Sequence, residues 1–267
     1  MLEKALKRNW RKWNIAIRIL PLIGIAVGLK VFADWKHWEF MELNALFTSM
    51  VAGTIFLISF LVKGVLSDYK ESEKIPSDLA ATLKALYDDT ATIYGSRKLS
   101  SAREFQQFQR DFLPMINKWL YKEVRTAEIL EKISEMNRYF IAFDTEGVTA
   151  NFIIKMKTEQ STIRKIILRI DTIRDTGFVG SAYAIVEAMG IAISLGLVVI
   201  RIEPLYAAVF FIALVTFLIF YMLQLIKDLD NPFDYASNGH DSGTEIPLKP
   251  LDDLQEEFSS EQLSIDS

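Results

Sequence analysis

An acidic residue, Glu187, stands inside the otherwise apolar run YAIVEAMGIAISLG. If this run crosses a membrane, a charge at that depth is costly, and such residues usually face a bundle interior or a water-filled cavity. One interpretation is an intramembrane carboxylate in an ion pathway or in proton-linked transport. The other is a protonated side chain that hydrogen-bonds to a neighbouring helix, with Ser194 or Thr54 as its partner. Both interpretations remain open at this point.

A second pattern lies in the run TSMVAGTIFLISFLVKGVL, where Ala52, Phe56, Phe60 and Gly64 recur every four residues. Four-residue spacing puts them on one face of a helix. A ring of such residues from several subunits would form a hydrophobic constriction, which can gate a pore by dewetting. The alternative is plain packing against lipid or core. Lys63 would either attract anions to the pore mouth or extend to the lipid headgroups.

A third group consists of three carboxylates in the run DLDNPFD, namely Asp228, Asp230 and Asp234. Several oxygen ligands on a turning backbone suit a hard cation such as calcium. The spacing differs from the twelve-residue calcium loop that closes with a glutamate. The alternative is a helix stop, in which Asn231-Pro232 ends the preceding helix. Calcium is the one cofactor that the sequence leaves open.

The elements that carry these residues follow from the distribution of apolar residues along the 267-residue chain. Apolar blocks lie at about 14–33, 44–66, 178–200 and 204–226. A hydrocarbon layer of roughly 30 Å demands about 20 such residues per helix. The predicted fold class is therefore all-α: a polytopic membrane protein with transmembrane helices 1 and 2 in residues 14–66 and helices 3 and 4 in residues 178–226. A helical cytoplasmic domain, residues 67–177, is inserted between helices 2 and 3.

The charge distribution predicts the orientation in the membrane. Residues 1–13 carry five cations immediately before the first span, at Lys4, Lys7, Arg8, Arg11 and Lys12. Short basic segments stay on the cytoplasmic side. We therefore expect both termini in the cytoplasm, in an integral protein of the plasma (cell inner) membrane. Residues 1–13 are interpreted as a basic interfacial helix or, equally, as the basic flank of the first span.

The cytoplasmic domain and the tail differ in their patterns. Within residues 67–177, apolar residues recur at helical spacing in several segments, as in Ile129, Ile133, Met136 and Phe140. Residues 227–267 are acidic and rich in Ser, Gly and Pro, which predicts a mostly disordered tail. A short amphipathic piece, residues 251–258, could dock onto the body or onto a neighbouring subunit.

Enzymatic chemistry finds little support in the composition. The chain has no cysteine and two histidines, His37 and His240, neither of which lies beside a partner for catalysis. It contains no glycine-rich phosphate loop and no zinc-protease motif. We therefore expect no catalytic residue, no firmly assigned metal site and no nucleic-acid partner.

The layout and three short motifs resemble the bestrophin family and its bestrophin-like prokaryotic relatives. The layout is two spans, a helical insert of about a hundred residues, two more spans and an acidic tail. The motifs are Phe56 and Phe60 in a long second span, then Tyr69 followed by EKIPSD at residues 73–78, and Asn231-Pro232-Phe233 with acidic neighbours. The resemblance implies a pentameric channel whose second spans line a central pore, with Phe56 and Phe60 as its neck and a cytoplasmic vestibule below.

The function expected from these features is an oligomeric ion channel for small anions such as chloride. Its partners would be the lipid bilayer, further copies of the chain and inorganic ions. The alternative is a non-conducting membrane-anchored signalling or scaffold protein, whose cytoplasmic helices and acidic tail bind a partner.

Overall fold

The computed structural model describes residues 2–175, 180–235 and 244–265, and the environment of side chains in 13–175, 180–235 and 244–261. These residues form helices α1 (Leu2–Trp35), α2 (Ala45–Ser72), α3 (Ile75–Arg97), α4 (Ser100–Leu120), α5 (Thr126–Thr145), α6 (Ala150–Asp175), α7 (Gly180–Val199), α8 (Leu205–Asp230) and α9 (Lys249–Ile265), with strands β1 (Met41–Glu42) and β2 (Ile200–Arg201). The predicted all-α class is confirmed. The segment predicted as a basic interfacial helix is continuous with α1, but the side chains of residues 2–12 lie outside the described set.

Four helical stretches are long and apolar enough to cross a membrane, namely Trp13–Trp35, Ala45–Arg97, Ala150–Val199 and Leu205–Asp230. Their apolar parts are α1, α2, α7 and α8, which confirms the four predicted spans. Two compact units result. The membrane unit holds these four helices as far as Tyr69 of α2, and the helical unit holds α3–α6 and α9.

Close packing in the membrane unit relies on small residues at two helix contacts. Helix α1 packs against α7 and α8, which also pack against each other. A Cβ added to Gly190 of α7 would lie 2.8 Å from Ile219 of α8, and one added to Gly196 would lie 2.5 Å from the Phe47 ring. Small residues let helix backbones approach each other in lipid, where no hydrophobic driving force exists between helices. A larger side chain at either glycine would push the helices apart.

The two short strands pair in parallel within the membrane unit, with Met41 opposite Ile200 and Glu42 opposite Arg201. β1 lies in the connection between α1 and α2, and β2 directly follows α7 at the start of the connection to α8. Pairing satisfies backbone groups that these segments would otherwise leave open. The ribbon therefore ties the α1–α2 connection to the α7–α8 connection.

A lysine at this end of the membrane unit is fully buried. The Nζ atom of Lys30 lies 2.6 Å from Glu39 Oε1 and also donates to the backbone carbonyls of Val198 and Ile200. The last carbonyls of a helix lack partners within the helix, and a cation there also meets the negative end of the helix dipole. Lys30 thus binds carbonyls at the end of α7 and the start of β2, and it neutralises Glu39.

The helical unit is held together by an aromatic core contributed mainly by α4 and α5. The Phe105 ring lies 4.8 Å from Tyr139, 5.6 Å from Phe140 and 5.9 Å from Phe143, measured between ring centroids. Ring pairs at such separations add to the stabilisation that burial provides. The predicted stripe of α5 is buried as expected, including Ile133. Helix α6 completes the core because its buried face packs on α3 and α5.

The tail corrects the prediction of a mostly disordered segment. Residues 249–265 form α9, which packs on α3 and α4 of the helical unit through Leu251, Leu254 and Phe258. The Phe258 ring stacks on Tyr87 with centroids 4.2 Å apart. Buried apolar area of this kind offsets the conformational entropy that an acidic segment loses on ordering. The predicted amphipathic piece, residues 251–258, therefore docks on the body of its own chain.

A polar cluster beside these apolar contacts fixes the register of α9. Lys84 of α3 lies 2.7 Å from Glu257 and 3.0 Å from Asp88. Partial burial lowers the pKa of Lys84, but its hydrogen bonds to Glu257 and Asp88 outweigh that effect and hold the pKa above its ordinary value. Lys84 therefore remains a cation throughout the physiological pH range, and the contact with α9 is insensitive to pH on the lysine side.

We expect Lys30→Met to destabilise the membrane unit. The substitution leaves the Glu39 carboxylate and the terminal carbonyls of α7 without their cation, and breaking a buried pair on one side costs about 3–5 kcal/mol of unfolding free energy. Thermal unfolding in detergent measures the loss. Lys36→Met is the matched control, because Lys36 is exposed and its ammonium lies over the Trp35 ring, a contact that stabilises by about 1 kcal/mol at most. Equal melting temperatures for the two variants would contradict the capping role.

We expect Phe258→Ala to release α9 from the helical unit. Truncation of a buried phenylalanine to alanine costs about 3–5 kcal/mol of stability. A single docked helix would not stay bound after a loss of that size. Limited proteolysis followed by mass spectrometry should then show faster cleavage within residues 249–261. Ser259→Ala is the control, since Ser259 is exposed and its hydroxyl donates to the Gln255 carbonyl of its own helix. Unchanged cleavage in the Phe258 variant would show that the apolar contacts do not hold α9.

Candidate functional site: the exposed face of α2

Helix α2 has two faces with different surroundings. One face is buried in the core of the membrane unit through Phe47, Ile58, Leu61 and Val65, which recur at helical spacing. The opposite face is exposed from Ala45 to Ser67 and follows the same period. A helix that buries one stripe is oriented by it, so the residues on the other stripe have fixed positions.

The predicted pore residues all lie on this exposed face. Ala52, Phe56, Phe60 and Lys63 are exposed, and the Phe56 and Phe60 rings are 71% and 67% accessible. Successive members are three or four residues apart, which corresponds to about 5–6 Å along the helix axis. The two phenylalanines therefore form consecutive layers, with Ala52 one turn before them and Lys63 about one turn after them. The structure brings the four residues together on one face without assigning them a role.

The hydroxyl groups on the same face are turned toward their own helix. Thr48, Ser49 and Ser59 donate to the carbonyl oxygens of Asn44, Ala45 and Ile55, one turn earlier. Their protons are thereby satisfied inside the helix, and the hydroxyl oxygens keep their remaining lone pairs. The hydroxyl oxygens make the face mildly polar before Phe56, at Thr48 and Ser49, and between the two phenylalanines, at Ser59.

The exposed face of α2 differs in composition from that of α8. Helix α8 exposes large apolar side chains, including Phe210, Phe211, Leu214 and Leu218. Such a surface is suited to lipid tails. Helix α2 also exposes Leu46, Ile55 and Leu66, but its two phenylalanines alternate with small and hydroxyl-bearing residues, and a lysine stands near the end of the face. This mixture suits contact with another protein surface or with water better than contact with lipid tails.

Glu187 has a partner that the sequence analysis did not identify. Its Oε1 atom accepts a hydrogen bond from Lys227 Nζ, near the end of α8, and both side chains are partly exposed. The two candidate partners are occupied elsewhere: Ser194 bonds to Gly190 and Thr216, and Thr54 to its own helix. The pairing corrects the expected partner and favours a structural ion pair between α7 and α8.

The three carboxylates considered for a cation do not form a common site. Asp228 accepts a hydrogen bond from Gln224 at 3.0 Å, and Asp230 contacts the hydroxyl of Tyr183. Asp234 lies 2.6 Å from Lys122 in the helical unit. In the described part of the chain, no three Asp, Glu or His side chains are grouped so that they could hold a metal ion.

Two contacts missed by the sequence analysis involve lysines. The pairing of Glu187 with Lys227 could have been predicted from the sequence, because antiparallel neighbouring spans place the start of α7 beside the end of α8. Nothing in the sequence around Lys30 predicts its burial. Its acceptors on Val198 and Ile200 are 168 and 170 residues away in the sequence.

Comparisons with known proteins identify the fold. No family model matches the sequence, and no curated protein does. The structure of a mutant of a bacterial bestrophin homologue from Klebsiella pneumoniae is similar with a TM-score of 0.74 at 13% identity, over 91% of this chain and 98% of that chain. A second mutant of a Klebsiella pneumoniae homologue gives 0.74 at 12%, covering 91% and 97%.

A further solved structure, described only as that of a membrane protein, gives a TM-score of 0.75 at 12% identity and covers 90% of this chain and 97% of its own. Identity this low establishes the fold alone. The chain has the fold of the bacterial bestrophin homologues, and the resemblance predicted from its sequence is confirmed as a distant, bestrophin-like relationship at the level of that fold.

Proposed function

We propose that the chain assembles into an oligomeric ion channel for small anions, with the exposed face of α2 lining the pore. The observation that carries the proposal is the two-faced α2. Its buried stripe orients the helix, and its other stripe presents Ala52, Phe56, Phe60 and Lys63 away from the other spans. In a ring of subunits, such stripes would meet around a common axis.

Phe56 and Phe60 would then form a hydrophobic neck, defined as the two layers of rings contributed by these residues from every subunit. A narrow apolar constriction excludes ions because water leaves it readily, and widening it restores conduction. Opening requires a rotation or outward tilt of α2 that moves the rings off the axis. No covalent chemistry takes part in this mechanism.

The anion preference of the proposed channel rests on Lys63. It lies on the same face as the neck residues, about one turn beyond Phe60. A ring of lysines beside a low-dielectric constriction raises the local concentration of anions and lowers that of cations. The bestrophin-like fold supports the same assignment, because bestrophins, which the sequence resembles, are expected to be channels.

The second candidate function is a non-conducting membrane-anchored scaffold. The observation in its favour is the outer face of α9, where Asp252, Asp253 and Glu256 are exposed. Such an acidic surface suits a basic partner. Under this hypothesis the spans only anchor the helical unit, and the two-faced character of α2 has no functional consequence.

We expect the double substitution Phe56→Ala and Phe60→Ala to increase the current of the reconstituted protein several-fold or to leave it permanently open. Removing both rings widens and wets the neck, so the barrier to ions falls. Planar-bilayer recording or anion flux from vesicles measures the change. Phe210→Ala with Phe211→Ala is the matched control, because these rings are exposed on α8, away from the proposed pore. Unchanged current in a well-folded α2 double variant would refute the neck.

We expect the purified protein to form a stable ring of copies with an axial opening, because the α2 face is left exposed by the residues that the structure describes. Multi-angle light scattering in detergent gives the number of copies, and electron microscopy of the particles shows the ring. A stable monomer would favour the scaffold over the channel.

A further inference from the structure

We propose that one side of α1 is a phospholipid-binding face with a preformed headgroup site at the end of the helix. The members of this face, called the α1 stripe, are exposed and recur every three or four residues: Arg18, Leu22, Ile25, Leu29, Phe32 and Lys36. This spacing places them on one side of a helix. The other side is held in the membrane unit, where Ile19, Ala26 and Ala33 are buried.

The two cations of the α1 stripe stand at its ends. Arg18 and Lys36 are eighteen residues apart, which corresponds to about 27 Å along a helix axis. The backbone amide of Lys36 still bonds to the Phe32 carbonyl at 3.0 Å, so the helical rise extends to it. The hydrocarbon core of a bilayer is about 30 Å thick. The stripe members between the cations are apolar, so the stripe matches one hydrocarbon layer with a cation at each edge.

The end of α1 folds back into a cap that orders aromatic rings. The Trp38 amide donates to the Ala33 carbonyl at 2.9 Å, and the His37 amide donates to the Asp34 carbonyl at 3.0 Å. His37 has a φ of 55°, the left-handed conformation that this kind of helix end requires. The residue that follows then returns to the last turn of the helix and contacts an apolar side chain there. Trp38 does so with Phe32, at 5.7 Å between ring centroids and 86° between ring planes.

Three rings and one cation form the proposed headgroup site, which consists of Phe32, Trp35, Lys36 and Trp38. The Phe32 ring also lies 6.1 Å from the Trp35 ring, and Lys36 Nζ lies 4.4 Å from the Trp35 centroid. The Trp35 and Trp38 side chains nevertheless remain 69% and 59% accessible. The site is therefore ordered by contacts within the chain and keeps most of its ring area free. Such preorganisation lowers the entropy that a ligand must offset on binding.

The chemistry of the site suits the headgroup region of a phospholipid. Indole rings favour the membrane–water interface, where their apolar body and polar edge both find suitable surroundings. No ion pair within the described ranges 13–175, 180–235 and 244–261 includes Lys36. Its ammonium group can therefore attract a lipid phosphate. At the other end of the stripe, Arg18 interacts electrostatically with Asp228 of α8, so the headgroup site is assigned to Lys36.

The connection that carries the headgroup site is tied to the rest of the membrane unit. Lys30 pairs with Glu39 directly after the site, and Met41 pairs with Ile200 in the β1–β2 ribbon. A phospholipid bound at Lys36 therefore holds the end of α1 and, through the ribbon, the end of α7. The headgroup layer would thereby set the depth at which the membrane unit lies in the bilayer.

Packing of the α1 stripe against a second copy of the chain is the competing arrangement. A dry contact would bury Lys36 and would require a carboxylate opposite it, since an unpaired buried charge is strongly destabilising. A bilayer supplies phosphate at that level and hydrocarbon along the apolar part of the stripe. The length of the stripe and the position of its cations therefore favour lipid.

The depth test uses the absence of cysteine from the chain. Lys36→Cys and Leu29→Cys are each labelled with the same fluorophore in vesicles whose phospholipids carry a nitroxide quencher either at the headgroup or at the middle of the acyl chain. The two positions are on one stripe, about 10 Å apart along the axis. We expect the headgroup nitroxide to quench the label at position 36 more strongly, and the acyl-chain nitroxide the label at position 29, by about twofold in each case, because Leu29 lies near the middle of the hydrocarbon layer.

The binding test measures phospholipid retained by the detergent-purified protein, with native mass spectrometry as the readout. Phosphatidylglycerol is the anionic probe and phosphatidylcholine the zwitterionic one. We expect Lys36→Gln to lower the retention of phosphatidylglycerol relative to phosphatidylcholine by about fivefold, the factor that one lysine contributes at an anionic lipid surface. Trp35→Ala with Trp38→Ala should lower the retention of both lipids, because the variant lacks two of the three rings.

Arg201→Gln is the matched control for the binding test. Arg201 is an exposed cation in the β1–β2 ribbon, but Glu203 already neutralises it. We expect this variant to retain both lipids as the wild type does. Melting temperatures in detergent show whether each variant is folded. Lys36→Gln leaves all three rings in place, so the proposal remains testable even if the tryptophan variant does not fold.

Three results would overturn the proposal, and they differ in what they show. Equal retention of phosphatidylglycerol by the wild type and Lys36→Gln would refute the headgroup site. Absence of quenching at both positions, together with disulfide cross-linking of Leu29→Cys between copies, would show that the α1 stripe is a subunit contact. Quenching of both labels by aqueous iodide and by neither nitroxide would show that the stripe faces water.

Discussion

The candidate site depends on the orientation of α2, which comes from the packing of side chains on one of its faces into the core of the membrane unit. Lipid offers no hydrophobic drive for helices to associate, so orientation comes from side-chain fit and close backbone approach. Ile58, Leu61 and Val65 supply the fit, and Gly196 gives the Phe47 ring the space it needs at the start of the helix. These contacts orient α2 about its axis and leave Phe56 and Phe60 on its exposed side.

A second constraint acts at the end of the membrane unit where the spans connect. Backbone groups in apolar surroundings must find partners, and the two connections meet this need with the β1–β2 ribbon and with Lys30. One lysine serves both the carbonyls of α7 and the Glu39 carboxylate. The arrangement stabilises the end of α7 with a lysine that is itself fully buried.

The spans were predictable because a bilayer imposes one requirement, an apolar run of sufficient length, that the sequence displays directly. The stripe on α5 was equally readable, since Ile129 and Ile133 repeat with the helix period. The partners of individual side chains were harder to predict from the sequence. Lys30 has the same local sequence whether it extends to headgroups or is buried, and the choice depends on carbonyls at the far end of α7.

The prediction of a mostly disordered tail was wrong for a related reason. Its composition predicts disorder, and the apolar contribution of Leu251, Leu254 and Phe258 is small when it is counted within the segment. What decides the outcome is the surface that receives them, including the Tyr87 ring, which belongs to α3. Among the candidate site residues, the shared face of Ala52, Phe56, Phe60 and Lys63 was readable from spacing. The separation of Asp228, Asp230 and Asp234 required the positions of their partners.

Charge selectivity cannot come from the hydrophobic neck alone. Dewetting of a constriction lined by Phe56 and Phe60 opposes ions of both signs, because the cost is the loss of their hydration. The sign must be set by charges beside the path. In the membrane unit Glu187 and Lys227 cancel each other, as do Lys30 and Glu39. Lys63 is on the same exposed face of α2 as the phenylalanines and belongs to no ion pair among the residues that the structure describes. Under the proposed channel function, Lys63 would therefore set the sign of the selectivity and the phenylalanines would form the gate.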